Sequence, residues 1–193
     1  MNNSNTGNNS TDKYLVDKVL SGDPVAFASI IKNTEGLVAQ IVFKMISTPG
    51  NRKDIAQDIY LKIFKNLNGF KFQSKLSTWI AQVSYNTCLD YLRKKKLSFP
   101  GTLAEENMIN DPASDDTNIL VRQRQLSTIL KAGIEKLPPV YKTLITLYHK
   151  EELSYDEIVQ ITGLPEGTVK SYLFRARKTL KNSLLLNYKK EDI

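Results

Sequence analysis

Two stretches of this 193-residue sequence place nucleic-acid chemistry at regular spacing. Between Thr168 and Lys181, the residues Thr168, Lys170, Ser171, Arg175, Arg177, Lys178 and Lys181 share the outer surface of a helix. Val169, Leu173, Ala176 and Leu180 take its inner side at helical spacing. Cations there neutralise phosphates, while hydroxyls and forked guanidinium groups read base edges. Glu166, at the front of the run, can accept from a cytosine amino group or favour the positive end of the helix dipole. The second stretch, Phe70-Lys71-Phe72-Gln73-Ser74-Lys75, followed by Leu76-Ser77-Thr78-Trp79, interleaves rings with lysines and amides. Rings that stack on unpaired bases beside lysines that hold phosphates are the chemistry of single-strand binding. Gln82, Tyr85 and Asn86 follow on neighbouring helical turns, and an amide both donates to and accepts from a base edge. Arg93, Lys94, Lys95 and Lys96 extend the charge, and a solvated helix end accounts for that run as well. Trp79 belongs with the core, because Ile80, Val83 and Leu89 accompany it at helical spacing.

A third surface is of a different kind. Asp54, Gln57, Asp58 and, a turn later, Lys62 lie on one helix edge, beside Tyr60 and Phe64. Acidic and aromatic groups on a chain of net charge +7 suit a protein partner, and a solvated helix face explains them equally well. Catalytic groupings are missing from the pattern: there is no phosphate-cradling glycine loop and no set of residues at metal-ligand spacing. The sole histidine, His149, reads as a helix-end residue. The sole cysteine, Cys88, excludes an intrachain disulfide and sits in an apolar helical run as a small buried side chain. The positive charge points to a polyanionic partner, and a 41% hydrophobic share is enough for packed cores. No apolar run approaches the length that crosses a bilayer. Met1 to Thr11, rich in Asn and Ser, reads as neither a signal peptide nor a folded element, which leaves a reducing, cytoplasmic setting as the default.

These groups need helices to position them. Ser154-Tyr155-Asp156-Glu157 is a capping box that starts a short helix, Gly163 stops it, and Pro165 opens the next. A short helix, a glycine turn and a basic second helix form the layout that lays a helix in the major groove. Upstream, Leu15, Val16, Val19 and Leu20 form one stripe, Gly22-Asp23-Pro24 a break, Phe27, Ile30 and Ile31 a second stripe, and Leu37 to Ile46 a third. Pro49-Gly50 reads as a turn, Asp54–Leu67 as a helix ended by Asn68-Gly69, and 70–76 as a loop. A long helix capped by Ser77 or Thr78 then runs to about Lys96. Prolines, glycine and polar turn residues dominate 97–116, the signature of a linker. Helical spacing returns at Thr117, and no β alternation appears. The expected fold is all-α, with two small helical domains joined by a flexible linker. The polar tail is 1–11, the first domain 12–96, the linker 97–116, the second domain 117–188 and the C-terminal tail 189–193.

Three blocks resemble the extracytoplasmic-function sigma factors of the sigma-70 family. Arg52 to Phe64 resembles the polymerase-binding helix of region 2. Ser77 to Arg93 resembles the signature that follows its base-capturing loop. Leu137-Pro138-Pro139 through Lys178 resembles region 4. The resemblance implies a specificity subunit without catalysis or cofactor. Its partners would be core RNA polymerase and promoter DNA, both duplex and melted non-template strand, and relatives are often held inactive by an anti-sigma protein. It assigns Asp54, Gln57 and Asp58 to polymerase contact, and Lys62 joins them by its place on the same helix edge. It assigns the loop residues Phe70, Lys71, Phe72, Gln73, Ser74 and Lys75, with Asn86, to the −10 element; Gln82, Tyr85, Arg93 and Lys94 join them on side-chain chemistry. Thr168, Lys170, Ser171, Tyr172, Arg175, Arg177 and Lys178 go to the −35 element, and Glu166 joins them on its own chemistry. Two departures stand out: Tyr85 and Tyr172 occupy places where relatives often carry Arg, and Tyr172 can pack or stack instead. A free-standing helix-turn-helix regulator, dimeric on duplex DNA, would use the same last third but leaves the aromatic-lysine loop and the Asp54 edge unexplained. A nucleic-acid-processing enzyme lacks a candidate catalytic cluster.

Overall fold

The computed structural model describes residues 5–98 and 119–187 of the chain. Within them lie eight α-helices, one short 3-10 turn and no strand. Helix α1, Asn5–Leu20, ends at Gly22, whose φ of +90° is the left-handed conformation that a chain reversal here requires. It begins well inside the segment expected to be unfolded. Poor intrinsic propensity in its first turns is offset by the docking of its later ones, where Val16 and Val19 are buried. Asp23 then caps α2, Pro24–Met45, accepting from Val25 N at 2.8 Å and Ala26 N at 3.3 Å, with Pro24 preset for the first helical position.

The two stripes read from the sequence as separate after Pro24 are one helix. Ala26, Ile30, Thr34, Val38, Ile41, Val42 and Met45 form a continuous buried strip along α2, and the Thr34 hydroxyl is satisfied by Ile30 O at 2.7 Å. By length and composition α2 also passes as a membrane span, contrary to the expectation that no run comes close. Its apolar strip is nevertheless used on α1, α3, α4 and α6.

Helix α3, Pro49–Asn66, starts at the proline expected to form a turn, because Pro at a first helical position loses no hydrogen bond. It buries Ile55, Ile59 and Ile63, and the 3-10 turn Leu67–Gly69 closes it. Helix α4, Leu76–Ser98, is capped from a distance: Asp12 Oδ2 of α1 accepts from Leu76 N at 2.8 Å. The second half comprises α5, Ile119–Glu135; α6, Pro139–His149; α7, Tyr155–Thr162; and α8, Glu166–Asn187. The expected linker, 97–116, lies outside the described residues except for the end of α4, and the expected C-terminal tail lies outside them entirely.

The halves are not apart. Helix α6 packs on α2 and α7 on α4, so a single apolar core runs from Val16 to Ala176. Six successive α6 residues, Lys142 to Leu147, are buried, which a helix covered on one side alone cannot achieve.

Candidate nucleic-acid interface

The helix-turn-helix forms from local chemistry. Ser154 Oγ accepts from Glu157 N at 3.2 Å, and Glu157 Oε2 accepts from Ser154 N at 3.0 Å, so two orphan donors at the start of α7 are satisfied. Gly163, at φ +68°, ends α7 and donates its N–H to Val159 O at 2.8 Å. Pro165 O then accepts from Thr168 N and Val169 N at 2.8 and 3.0 Å, starting α8. The residues expected to face inward on α8, Val169, Leu173, Ala176 and Leu180, are all buried.

The outer side of α8 exposes Glu166, Lys170, Arg175, Arg177 and Lys178, with Thr168 and Ser171 half-buried at its margin. Lys170 lies 2.6 Å from Glu166 and 5.3 Å from the Tyr155 ring centroid, and the Glu166 hydrogen bond raises its ammonium above the usual range. Arg177 donates Nε to His149 Nε2 at 3.2 Å and lies 5.2 Å from the Tyr148 ring centroid. Partial burial and the Arg177 charge lower the His149 imidazole, which keeps the acceptor neutral. Phe174, 66% exposed, stands between Lys170 and Lys178 at four-residue spacing. Sequence reasoning passed over it, although an aromatic on the polar side of an amphipathic helix was the available signal. Tyr172 does not join this surface. It is half-buried, with its ring 5.4 Å from that of Tyr141.

The loop before α4 divides its residues. Phe70 is 6% exposed, and its ring packs 4.7 Å from Phe72 and 5.4 Å from Trp79, so it anchors the loop from below. Phe72 takes φ +55°, a left-handed backbone that a bulky residue adopts only when its surroundings hold it. Lys71 and Gln73 are exposed, while Ser74 donates to Lys75 O at 3.3 Å. Lys75 Nζ reaches across to Glu157 Oε1 of the capping box at 2.9 Å. Burial alone would raise the Glu157 carboxyl. The hydrogen bonds from Lys75 and Ser154 outweigh it and hold the group below the usual carboxylate range.

On α4, Asn86 is exposed and Gln82 half-buried, whereas Tyr85 is 3% exposed. Burial lifts the Tyr85 phenol above its ordinary value, and the neighbouring Tyr172 phenol lifts it further. Arg93 and Lys94 are exposed, Arg93 lying 3.8 Å from Asp90.

Asp54, Gln57 and Asp58 are exposed together on α3, and Leu61, also exposed, continues their strip. Phe64 is exposed beside it and meets Phe27 edge-on at 5.1 Å. Tyr60 is half-buried, its hydroxyl 3.3 Å from that of Thr34. Lys62 turns to α4, donating to Thr87 Oγ1 at 3.2 Å. The Cys88 thiol is buried beneath, pushed up to about 12 by desolvation.

A helix-turn-helix with a basic outer face, joined to a helical module that carries an aromatic-lysine loop, defines a DNA-reading factor in two parts. The family profiles divide the chain in the same way: "Sigma-70 region 2" matches residues 30–97 and "Sigma-70, region 4" matches 127–180. The ECF RNA polymerase sigma-E factor of Escherichia coli (strain K12) is 31% identical over 182 residues, covering 90% of this chain and 94% of its own. The ECF RNA polymerase sigma factor SigW of Bacillus subtilis (strain 168) is 29% identical over 181 residues, covering 89% and 96%. Among solved structures, CnrH in complex with the cytosolic domain of CnrY shares the fold at TM-score 0.63 and 18% identity, over 92% of this chain and 99% of that one. RpoE of Bartonella quintana, in complex with the anti-sigma factor NepR, does so at 0.63 and 21%, over 84% and 98%. The chain belongs to the extracytoplasmic-function RNA polymerase sigma factors of the sigma-70 family, and it is a transcription-initiation factor.

Proposed function

We propose that this sigma factor joins core RNA polymerase through the outer strip of α3 and divides a promoter between its two halves. Asp54, Gln57 and Asp58 supply acceptors at the polymerase contact, with Leu61 and Phe64 as the apolar anchors that a protein interface needs. Lys170, Ser171, Arg175 and Lys178 on α8 dock on the duplex −35 element, with Glu166, Thr168 and Arg177 at the edges of that surface. The loop 70–75, together with Gln82, Asn86, Arg93 and Lys94, holds an unpaired base and the phosphates of the −10 element. Each stacked base is worth about 1–3 kcal/mol, comparable with the few kcal/mol that unstacking requires, so capture biases melting without nucleotide hydrolysis. The factor supplies specificity to the polymerase and no catalysis of its own. It acts in the cytoplasm, and an anti-sigma protein is a partner class, as in the complex of the similar RpoE chain with the anti-sigma factor NepR.

One observation carries this proposal. The chain combines a capped helix-turn-helix whose outer face is basic with a second helical module whose acidic and apolar strip on α3 faces away from its own core. A regulator that works on duplex DNA alone has no use for that strip. Run-off transcription with core polymerase on a fragmented genomic library tests the assignment, and defined start sites that depend on the added chain are expected. Tight, specific duplex binding without polymerase, and no start sites with it, would favour a free-standing regulator.

A further inference from the structure

We propose that Tyr148 and Tyr155 form an uncharged platform that orders two cations of α8, Lys170 and Arg177, for a DNA backbone before the DNA arrives. The two tyrosines are positioning residues, not DNA contacts. What the cations meet rests on the duplex-docking role proposed above, whereas the platform itself rests on ring geometry.

The platform is built at a corner. Tyr148 lies in the last turn of α6 and Tyr155 opens α7, so the short connection 150–154 sets the two rings side by side. Their centroids are 5.1 Å apart and their planes 32° from parallel. Both rings are half-buried and pack against the core. Each also meets a different cation. Lys170 Nζ lies 5.3 Å from the Tyr155 centroid, and the Arg177 guanidinium carbon lies 5.2 Å from the Tyr148 centroid. Positions 170 and 177 are about two helical turns apart, so the two exposed cations share one line along α8. One pair of adjacent rings thus fixes charge at two points along that line.

A ring suits this task better than a carboxylate. A long cationic side chain that is free in solution loses rotamer freedom when it docks, and ordering it beforehand removes that cost from binding. A carboxylate orders a cation but cancels its charge, and it competes with phosphate for the same N–H donors. The face of a ring attracts the cation through its quadrupole and consumes no donor. Lys170 has both kinds of partner, Glu166 at 2.6 Å and the Tyr155 ring. When a phosphate displaces Glu166, the ring still holds the ammonium in place. Arg177 is held by neutral groups: His149 Nε2 accepts its Nε–H at 3.2 Å, and the Tyr148 ring lies beside the guanidinium. His149 is itself set edge-on to Tyr148, with ring centroids 4.9 Å apart at 87°. With Nε engaged, the donors on the terminal nitrogens of Arg177 remain, and they are the fork that fits a phosphate.

Double-mutant cycles on the holoenzyme test the platform, with a fluorescein-labelled promoter duplex recovered by the run-off selection above as the probe. Tyr155→Leu is expected to weaken duplex binding about two- to fivefold, the range of an exposed cation–ring contact. In a Lys170→Ala background the same change is expected to cost nothing further. Tyr148→Leu should behave likewise against Arg177→Ala, and Tyr155→Phe, which keeps the ring, should keep the affinity. Where Lys170→Ala itself weakens binding, an equal loss from Tyr155→Leu in both backgrounds marks a merely structural role and overturns the proposal, as does no loss in either. Proton NMR of the free full chain gives a readout that needs neither DNA nor polymerase. The ring current of Tyr155 should move the Lys170 ε-methylene protons upfield in the parent and in Tyr155→Phe, and not in Tyr155→Leu. Lys170 ε-methylene protons at their random-coil position in the parent overturn the platform. If instead that shift is present while Lys170→Ala and Arg177→Ala leave duplex binding unchanged, the platform stands and the duplex-docking role of α8 falls.

Discussion

Asp12 offers the sharpest quantitative test of how the first domain is held. Its carboxylate reaches across 64 residues of sequence to accept from Leu76 N at 2.8 Å, at the first turn of α4 and directly after the loop 70–75. Leu76 is buried, so removing the acceptor leaves a donor that solvent does not readily reach. Loss of a helix-start acceptor costs about 0.5–2 kcal/mol. Loss of a negative charge at the positive end of a helix dipole adds about 0.3–1 kcal/mol. We expect about 1.5 kcal/mol for Asp12→Ala, which in a chain of this size lowers Tm by about 3–6 °C. Thermal melts followed by circular dichroism measure it, with Asp17→Ala as the control: same helix, same charge change, exposed and outside this contact. Hydrogen exchange at Leu76 and Trp79 should quicken in Asp12→Ala alone. If both variants melt within about 0.5 °C of the parent, α1 does not cap α4 and its register on the first domain is wrong.

Lys170→Ala or Arg175→Ala should weaken upstream promoter binding about tenfold and leave core-polymerase association intact; joint loss in a pull-down on core enzyme would refute the division of labour. Charge reversal at Asp58 should reduce core-polymerase binding several-fold in the same pull-down, and unchanged affinity would reduce the α3 strip to a solvated face. The His149 imidazole accepts from Arg177 only when neutral. Its lowered value in the folded chain means that this contribution is present above about pH 6.5 and is lost as pH falls through the folded value. Parent and His149→Gln melts should therefore converge or cross as pH falls below about 6.5, and a pH-independent difference would remove the contact.

Much of the second domain was legible because its signals are local. A serine three residues before a glutamate, a glycine where a helix must stop and a proline where the next begins are each decided within one turn of backbone. Ser154, Gly163 and Pro165 do what their types dictate. The inward residues of α3 and α8 were legible for a related reason. Ile55, Ile59 and Ile63, and likewise Val169, Leu173 and Ala176, repeat at the helical period whatever they pack against.

Where long-range contacts decided the outcome, the pattern was silent or pointed elsewhere. The first turns of α1 have the composition of a tail, yet they continue a helix whose later turns dock. Pro49 has the look of a turn and opens α3. Phe70 has the chemistry of a stacking ring and is spent under Trp79. Tyr85 and Tyr172 are far apart in sequence and come within electrostatic reach only because one half lies on the other.

By itself, then, the order of residues determined that the chain is helical, which faces of α3 and α8 are apolar, and that α8 carries a basic outer surface. Only the tertiary structure decided which polar groups are left facing solvent, because burial is a property of two surfaces brought together. A residue's type states what it contributes on contact, and the fold of the whole chain states what it touches.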